Sequence, residues 1–205
     1  MFKFLKRDGP SDGFKDILVS KLVIENEDTF HLKNLYKLIK EWVEEEGFVD
    51  IYGERGGGGN PETFYLERIS ASGSKEHRIR WRLLKTPNGS NYYRFFLKLD
   101  FITINMKSIE VMHQGYKMKT DRGDVIINIE AWLQLDYKDE WKDAPILKNE
   151  FFQKLFRNRI YKEQIESHKI DLYKASYRLQ NTIKQYLKLK TLYEMPKPFH
   201  PEKGL

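Results

Sequence analysis

The sequence predicts an α+β domain that combines a curved antiparallel sheet of about seven strands, one helix after the first strand and a long C-terminal helix. Three patterns support this class: a β-branched segment near the start, period-two alternation through the middle, and helical periodicity in the last quarter. We expect the domain to span residues 16–193. A flexible basic arm at 1–15 precedes it, and an extended proline-rich tail at 194–205 follows it.

The first elements are predicted to be a strand and a helix. Residues 16–25 are rich in Val, Ile and Leu, which is typical of a strand. Apolar residues then recur every three or four positions over 29–46, and this spacing predicts a helix. Gly47 is the expected C-cap. The candidate N-caps are Asn26, Asp28 and Thr29.

Alternation in the middle of the chain predicts a basic sheet face. The strand at 78–83 alternates three arginines with three apolar residues, so the arginines share one face. A three-residue loop at Pro87–Gly89 pairs Leu83 with Tyr93 and sets Arg82 opposite Arg94. The basic face consists of Arg78, Arg80, Arg82, Arg94 and Lys98. Because like charges opposite each other destabilise a sheet, carboxylates of this chain or an acidic partner must compensate them.

The last hairpin is predicted to turn at Asp121–Gly123. Its second strand has an unbroken apolar face from Val125 to Leu135, and a three-residue turn brings His113 opposite Ala131. If a ligand pocket exists, this register places it between the apolar sheet face and the C-terminal helix. Its sheet residues are Trp81, Phe95, His113, Ile129 and Leu133. A core histidine with one hydrogen bond is the simpler interpretation of His113.

The net charge of +6 is concentrated in the C-terminal helical segment. Residues 1–149 contain 24 Lys or Arg and 24 Asp or Glu, whereas residues 150–190 contain 10 and 4. Helical periodicity over 149–193 slips in register at 167–171, so one bent helix or two helices remain open. The cations expected to bind a partner first are Arg157, Arg159, Lys162, Lys169, Lys174 and Arg178.

Several anionic partners fit this basic segment. Its lysines and arginines can neutralise phosphates and its tyrosines can stack on bases, which permits contact with RNA or a ribosome. An anionic membrane surface, an acidic protein surface and plain solvation are alternatives for the same composition. The leading interpretation is a non-catalytic binding or assembly module whose basic surface engages an anionic partner.

No motif favours catalysis. The absence of cysteine excludes disulfides, thiolate metal sites and cysteine nucleophiles, and the five histidines lack metal-ligand spacing. The glycines at 56–59 are not followed by the Lys-Ser/Thr of a phosphate-binding loop. The chain also lacks an apolar run long enough to span a bilayer, and its start lacks the apolar centre of a signal peptide. We therefore expect a cytoplasmic protein that uses no cofactor.

The order of elements over residues 16–190 is strand, helix, six strands and long C-terminal helix. This order resembles the START-type helix-grip superfamily. The resemblance implies a curved sheet that wraps the terminal helix and leaves an apolar cavity between them. It therefore adds an alternative function, the binding of an apolar or amphipathic small molecule.

Overall fold

A computed structural model of the protein describes residues 10, 15–51, 60–87, 90–113, 116–138, 155, 159 and 161–189. Over these residues the predicted α+β class and the antiparallel sheet are confirmed. The elements in chain order are β1 (Asp16–Phe30), α1 (Leu32–Glu45), β2 (Val49–Asp50), β3 (Glu62–Ile69), β4 (Lys75–Lys85), β5 (Tyr93–His113), β6 (Tyr116–Leu135) and α2 (Lys162–Tyr186).

The strands of the described ranges form one open six-stranded sheet. Its order is β1-β6-β5-β4-β2. Both β2 and β3 pair with the same edge of β4: β3 pairs with residues 75–81 and β2 with residues 83–84. The prediction of about seven strands is wrong by one, because the segments at 93–101 and 109–119 are not separate strands. The first lies in β5, and the second spans the end of β5 and the start of β6.

Both helices pack on the same face of the sheet. Trp81, Leu99 and Ile129 from the three central strands are completely buried in one cluster with Ile39 of α1 and Leu172 of α2. Burying each large apolar side chain contributes roughly 1.5–3 kcal/mol, so this layer is the main source of stability. The opposite face of the sheet carries the polar members of the alternating strands.

A distant carboxylate stabilises the start of α1. The N-cap residue is His31, whose side chain makes no capping hydrogen bond. Instead, the Leu32 N–H donates to Asp121 Oδ2 at 3.3 Å. The predicted N-caps are wrong because β1 continues to Phe30 and contains all three of them: Asn26, Asp28 and Thr29. The predicted C-cap is off by one residue, since the C-cap is Glu46; Gly47 follows it with a φ of +74°, which glycine adopts without steric cost.

The register between β4 and β5 differs from the predicted one by four residues. Leu83 pairs with Leu97 rather than with Tyr93, and Arg82 lies opposite Lys98 rather than Arg94. The connection is longer than three residues, since the last pair of this ladder is Lys85 with Phe95. Every side chain stays on its predicted face, because a shift by an even number of residues preserves the alternation.

The turn of the last hairpin was predicted at the wrong place. β5 continues to His113, which pairs with Tyr116, so Asp121–Gly123 lies inside β6. Ala131 consequently pairs with Leu97 and not with His113. The β5 strand has an irregularity at Asn105, whose φ is +53°, and this bulge faces Gly123 across the ladder.

The C-terminal segment contains a helix that is continuous across the predicted slip in register. α2 runs from Lys162 to Tyr186 and crosses 167–171 without a break. The helical periodicity of the segment predicts a set of apolar core positions, of which Ile165, Leu172, Leu179, Ile183 and Leu187 are buried, whereas Leu155 is 39% exposed. Other predicted core positions lie outside the described residues: Phe152, Phe156 and Ile160. No helix in the described ranges combines the length and apolarity needed to cross a membrane.

Candidate anion-binding surfaces

The predicted basic face lies on the side of the sheet away from the helices. On β4, the apolar partners of the arginines are buried in the core beneath α1 and α2. Successive side chains of a strand point to opposite faces, so the arginines project outward. The outward residues of β4 and β5 include Arg78, Arg80, Arg82, Arg94 and Lys98.

Around Arg82 and Lys98 on this face, internal carboxylates compensate the cations. Arg82 Nη1 lies 2.7 Å from Asp100 Oδ1. Lys98 Nζ lies 3.6 Å from Glu130 Oε2 and 4.9 Å from the centre of the Trp132 ring. These two cations already have partners of opposite charge, as expected if the chain neutralises its own sheet face.

Glu130 is the central carboxylate of this region. Lys21 Nζ lies 3.4 Å from Glu130 Oε1, and Trp132 Nε1 donates to Oε2 at 3.4 Å. Burial raises the pKa of the Glu130 carboxyl, but the Trp132 hydrogen bond and the two lysines outweigh it, and the net pKa is lowered. Glu130 therefore stays ionised and compensates Lys98 at neutral pH.

Apolar and polar side chains of the chain itself occupy the rest of this area. Arg94 Nε donates to Gln134 Oε1 at 2.9 Å, and its guanidinium lies 4.6 Å from the Tyr137 ring centre. A small buried cluster accompanies them, formed by Leu84, Phe96 and Trp132. Two of the predicted basic residues, Arg94 and Lys98, thus pack against other side chains of the outer face.

A second part of the outer face is exposed, and its arginines form no ion pair with the described carboxylates, although Asp100 lies opposite Arg80 in the ladder with β5. Phe64 and Leu66 of β3 are 41% and 39% exposed, and their neighbours across the ladder are Arg80 and Arg78. The Arg80 guanidinium lies 5.2 Å from the centre of the Phe64 ring, which is a cation–π contact. Arg68 follows on the same face of β3 and is also exposed. We call this surface the β3–β4 patch: Phe64, Leu66, Arg68, Arg78 and Arg80.

The arginines of the β3–β4 patch form no ion pair with any carboxylate of the described residues. Glu76 is the ladder neighbour of Arg68, but the two side chains do not form a salt bridge. Glu67, on the other face of β3, lies 2.7 Å from Lys75. The hydrogen bond with Lys75 lowers the pKa of Glu67. The ionised carboxylate of Glu67 is thus paired with Lys75 and does not compensate the arginines of the patch.

The predicted cations of α2 do not form a single surface. Lys169 lies 2.8 Å from Glu166 and lines a groove of about 270 Å³ against β1. Lys174 and Arg178 border a different cleft, of about 300 Å³, between α2 and the ends of α1 and β4. There, Arg178 Nη2 and Nε donate to Glu46 Oε1 at 2.7 and 2.9 Å.

The remaining predicted cations of the C-terminal segment are only partly described. Arg159 and Lys162 are exposed. Arg157 lies outside the described residues. The described cations among those predicted therefore differ in their surroundings: Lys169 and Arg178 have carboxylate partners, and the others are exposed.

His168 borders the cleft beside Lys174 and is not among the residues predicted from the sequence. Its Nδ1 is buried and has no hydrogen-bond partner among the described residues, and its ring lies 4.5 Å from that of Tyr93. Burial lowers the pKa of His168, so the ring is neutral at pH 7 and adds no charge to the cleft. Its spacing from Ile165 and Leu172 is the sequence signal for this partly buried position.

Four of the five predicted pocket residues lie together in the core, and His113 lies apart from them. Trp81, Ile129 and Leu133 are completely buried, and Phe95, which is 5% exposed, pairs with Leu133 and also borders the solvent-open cleft. His113 lies near the end of the β5–β6 hairpin and pairs with Tyr116. Ile129 pairs with Leu99, and at about 3.3 Å per residue along β5 that pair is on the order of 40 Å from His113.

The described ranges contain no cluster of three or more His, Asp or Glu side chains that could hold a metal ion. A scan of protein-family models and a search of curated proteins found no match to this chain. The functional assignment therefore depends on the geometry and charge of the surfaces described above.

Proposed function

We propose that the protein is a non-catalytic binding module that engages an anionic partner through the β3–β4 patch. The supporting observation is that three exposed arginines without a carboxylate partner lie beside exposed Phe64 and Leu66 on one sheet face. Exposed apolar side chains grouped with polar ones are typical of interaction sites. Free guanidinium groups bind carboxylates and phosphates through two parallel hydrogen bonds.

The state of the other cations supports this choice of surface. A partner that binds Arg82 or Lys98 must compete with Asp100 or Glu130, which already lie within 4 Å. A partner that binds the β3–β4 patch breaks no ion pair. The free energy of each new charge-assisted hydrogen bond at the patch is therefore available for binding.

This proposal gives α2 a secondary role, whereas the charge distribution along the sequence favoured the C-terminal segment. Lys169 and Arg178 are already paired with Glu166 and Glu46. Lys174 has no such pair among the described residues, but it borders the same cleft as the carboxylate of Asp171. The C-terminal cations still contribute a positive field that attracts polyanions over longer distances.

The alternative function, a helix-grip-like protein that binds an apolar molecule in a cavity, has less support. The Tyr36 ring packs edge-on against Trp81 at 4.7 Å, and Phe101 lies 5.4 Å from the same indole. These contacts fill the space between α1 and the sheet. Where the cavity was expected, between α2 and the sheet, Leu172, Leu179 and Ile183 are completely buried in the same core cluster as Trp81. Solvent-open grooves border α2, but they contain charged side chains at their rims.

Polyanion binding across a salt series tests the proposal. The probes are fluorescein-labelled poly-glutamate, a labelled single-stranded oligonucleotide and vesicles with anionic headgroups. The test variant combines Arg68→Gln, Arg78→Gln and Arg80→Gln. The control variant removes the same charge from the exposed surface of α1 by Lys33→Gln, Lys37→Gln and Lys40→Gln.

We expect the wild type and the α1 variant to bind at least one polyanion in a salt-sensitive manner, and the patch variant to lose most of this binding. Equal loss in the two variants would show that only net charge matters, and it would overturn the assignment to the patch. Absence of salt-sensitive binding by the wild type would overturn the proposed function.

A further inference from the structure

We infer that the anionic partner of the β3–β4 patch is a single-stranded nucleic acid. This inference rests on the proposed function and adds the chemical class of the partner. In it, unpaired bases stack on the exposed surface of Phe64 and the Arg80 guanidinium, and the phosphates are bound by Arg68 and Arg78.

The patch combines charge and stacking surface at the spacing of a sheet. Arg78 and Arg80 are two positions apart on β4, roughly 7 Å, and β3 lies about 4.8 Å away with Phe64 and Leu66 opposite them. Every base presents a π face, and aromatic rings and guanidinium planes are both surfaces on which single-stranded bases stack. The Phe64–Arg80 contact already places these two kinds of surface side by side.

The apolar components favour single strands over a duplex. In a duplex each base face is covered by the neighbouring bases. Phe64 and Leu66 would then contact phosphates or groove edges, and their apolar surface would stay exposed to water. In a single strand the bases are free to cover both side chains while the backbone stays beside the arginines.

The same components disfavour the other anionic partners. A membrane surface offers negative headgroups, but lipid binding by a protein surface also needs a larger inserted apolar area than two half-exposed side chains provide. An acidic peptide satisfies the arginines, but its carboxylates offer nothing that stacks on Phe64. Charge complementarity alone fits all three partners, and the stacking surface distinguishes them.

Fluorescence anisotropy with three labelled probes of equal phosphate number tests the inference: a single-stranded oligonucleotide, the corresponding abasic strand and a duplex. We expect the wild type to bind the base-containing single strand at least about fivefold more tightly than the abasic strand, because stacking contributes to affinity for each stacked base. The duplex should bind no better than the abasic strand. Poly-glutamate and anionic vesicles should bind more weakly than the single strand.

Two substitutions at Phe64 separate stacking from charge. Phe64→Leu keeps an apolar side chain but removes the ring, and we expect it to lower affinity for the base-containing strand towards that for the abasic strand. Phe64→Tyr keeps a ring and should retain the difference. Neither variant should alter binding of the abasic strand, since neither changes the arginines.

The outcomes distinguish this inference from the proposed function. If the wild type binds the abasic and base-containing strands equally, or prefers vesicles or poly-glutamate, the partner class is overturned while anion binding stands. If it binds none of the polyanions, both are overturned. The comparison of probes uses the wild-type protein, so it decides the inference even if a Phe64 variant fails to fold.

Discussion

The carboxylate of Asp121 accepts a hydrogen bond from the N–H of Leu32 at 3.3 Å, and so the sixth strand caps the first helix. The two residues are 89 positions apart in the sequence. The first turn of a helix has unpaired N–H groups and a partial positive charge, and a carboxylate satisfies both. The start of α1 is thereby coupled to the pairing of β1 with β6, where Asp121 lies opposite Phe30.

We predict that Asp121→Ala lowers the free energy of unfolding by about 1 kcal/mol, the usual effect of removing an N-cap acceptor. Asp121→Asn keeps an acceptor oxygen and should recover part of this loss. Urea denaturation measured by circular dichroism gives the comparison. Equal stability of the wild type and the Ala variant would contradict a capping role for this carboxylate.

Gly123 lies where two backbones approach closely. A Cβ atom at this position would be 2.9 Å from the carbonyl oxygen of Ile104 and 2.8 Å from Met106 Sδ. We predict that Gly123→Ala lowers the free energy of unfolding by roughly 1–3 kcal/mol, because the backbone oxygen cannot move without disturbing the ladder. Arg122→Ala, at the neighbouring exposed position, should change it by less than about 0.5 kcal/mol.

Thermal or urea unfolding of both variants measures this prediction. A Gly123→Ala protein as stable as the Arg122→Ala protein would show that the bulge at Asn105 adapts freely. Met106 is itself buried in the core, so a double-mutant cycle isolates its sulfur contact: most of the loss caused by Gly123→Ala should persist when both compared proteins carry Met106→Ala.

Gly123 also shows why the last hairpin could not be predicted from the sequence. Asp-Arg-Gly is a plausible turn sequence, and a glycine inside a strand is equally compatible with a bulge on the neighbouring strand. The choice depends on Asn105 and Met106, which are distant in sequence and contribute no local pattern. Once the turn was misplaced, His113 was assigned to the core face opposite Ala131.

The faces of β4 and β5 were predictable because alternation is local. Trp81 and Leu83 are buried and Arg80 is exposed whatever the exact register, since only an odd shift exchanges the faces. The partners were not predictable, because the pairing of Leu83 with Leu97 depends on loop length. The sequence therefore identified Arg78 and Arg80 of the candidate site and offered Asp100 as one possible compensating carboxylate, but only the structure shows that Asp100 pairs with Arg82.

The β3 contribution to the patch had no sequence signal of this kind. Phe64, Tyr65 and Leu66 are consecutive, so the segment lacks the alternation that separates an exposed face from a buried one. Their exposure follows from the position of β3 at the edge of the sheet, a tertiary property. Only the ladder with β4 shows that Phe64 and Arg68 share a face with Arg80.

Burial of histidines predicts a loss of stability in mild acid. Burial lowers the pKa of His168 and of His77 below the ordinary value of 6.5. Below pH 6.5 the unfolded chain therefore binds protons that the folded protein does not yet bind. Linkage then requires the free energy of unfolding to fall as pH decreases from about 6.5 towards 5.

His168→Phe tests how much of this decrease in the free energy of unfolding comes from His168, the histidine that borders the cleft. The substitution keeps a ring against Tyr93 and Phe95 but cannot bind a proton. We predict a shallower decrease in the free energy of unfolding between pH 6.5 and 5 than in the wild type, measured by urea titrations at several pH values. Identical slopes would show that His168 is not protonated differently in the two states.

Glu130 also has a lowered pKa, but its favoured deprotonated form is the charged one. Its lowered pKa means that it contributes stability above the ordinary value of 4.5, which is lost as pH falls through the folded-state pKa. We expect Glu130→Gln to lower the free energy of unfolding by about 1 kcal/mol at neutral pH, because Lys98 then loses its carboxylate. Glu25→Gln, at an exposed position on β1, is the matched control.

The difference between Glu130→Gln and the wild type should diminish in acid, where the wild-type carboxyl is protonated as well. Urea denaturation at neutral pH and well below pH 4.5 tests this. A difference that is independent of pH would indicate altered packing around Trp132 rather than loss of charge.

One arginine of the basic face is paired with a carboxylate and a neighbouring one is not. We therefore predict that substitution of Arg82 mainly affects stability, whereas substitution of Arg78 mainly affects binding. Arg82 is largely buried, lies 2.7 Å from Asp100 Oδ1 and donates to the Trp81 carbonyl oxygen at 2.8 Å. Arg82→Gln should therefore lower the free energy of unfolding by about 1–2 kcal/mol and leave Asp100 without its cation. Arg78 is exposed and has no ion pair, so Arg78→Gln should change it by less than about 0.5 kcal/mol.

Binding should respond in the reverse order. Loss of Arg78 removes one contact to the anionic partner, which lowers the salt dependence of single-strand binding by about 0.7 in the logarithmic slope. Loss of Arg82 removes a cation that Asp100 already neutralises, so the slope should stay unchanged while the protein remains folded. Anisotropy across a salt series, paired with urea denaturation of the same variants, measures both quantities. If Arg82→Gln reduced the slope as much as Arg78→Gln, the Asp100 pair would not protect Arg82 from the partner, and the binding surface would extend across the whole basic face.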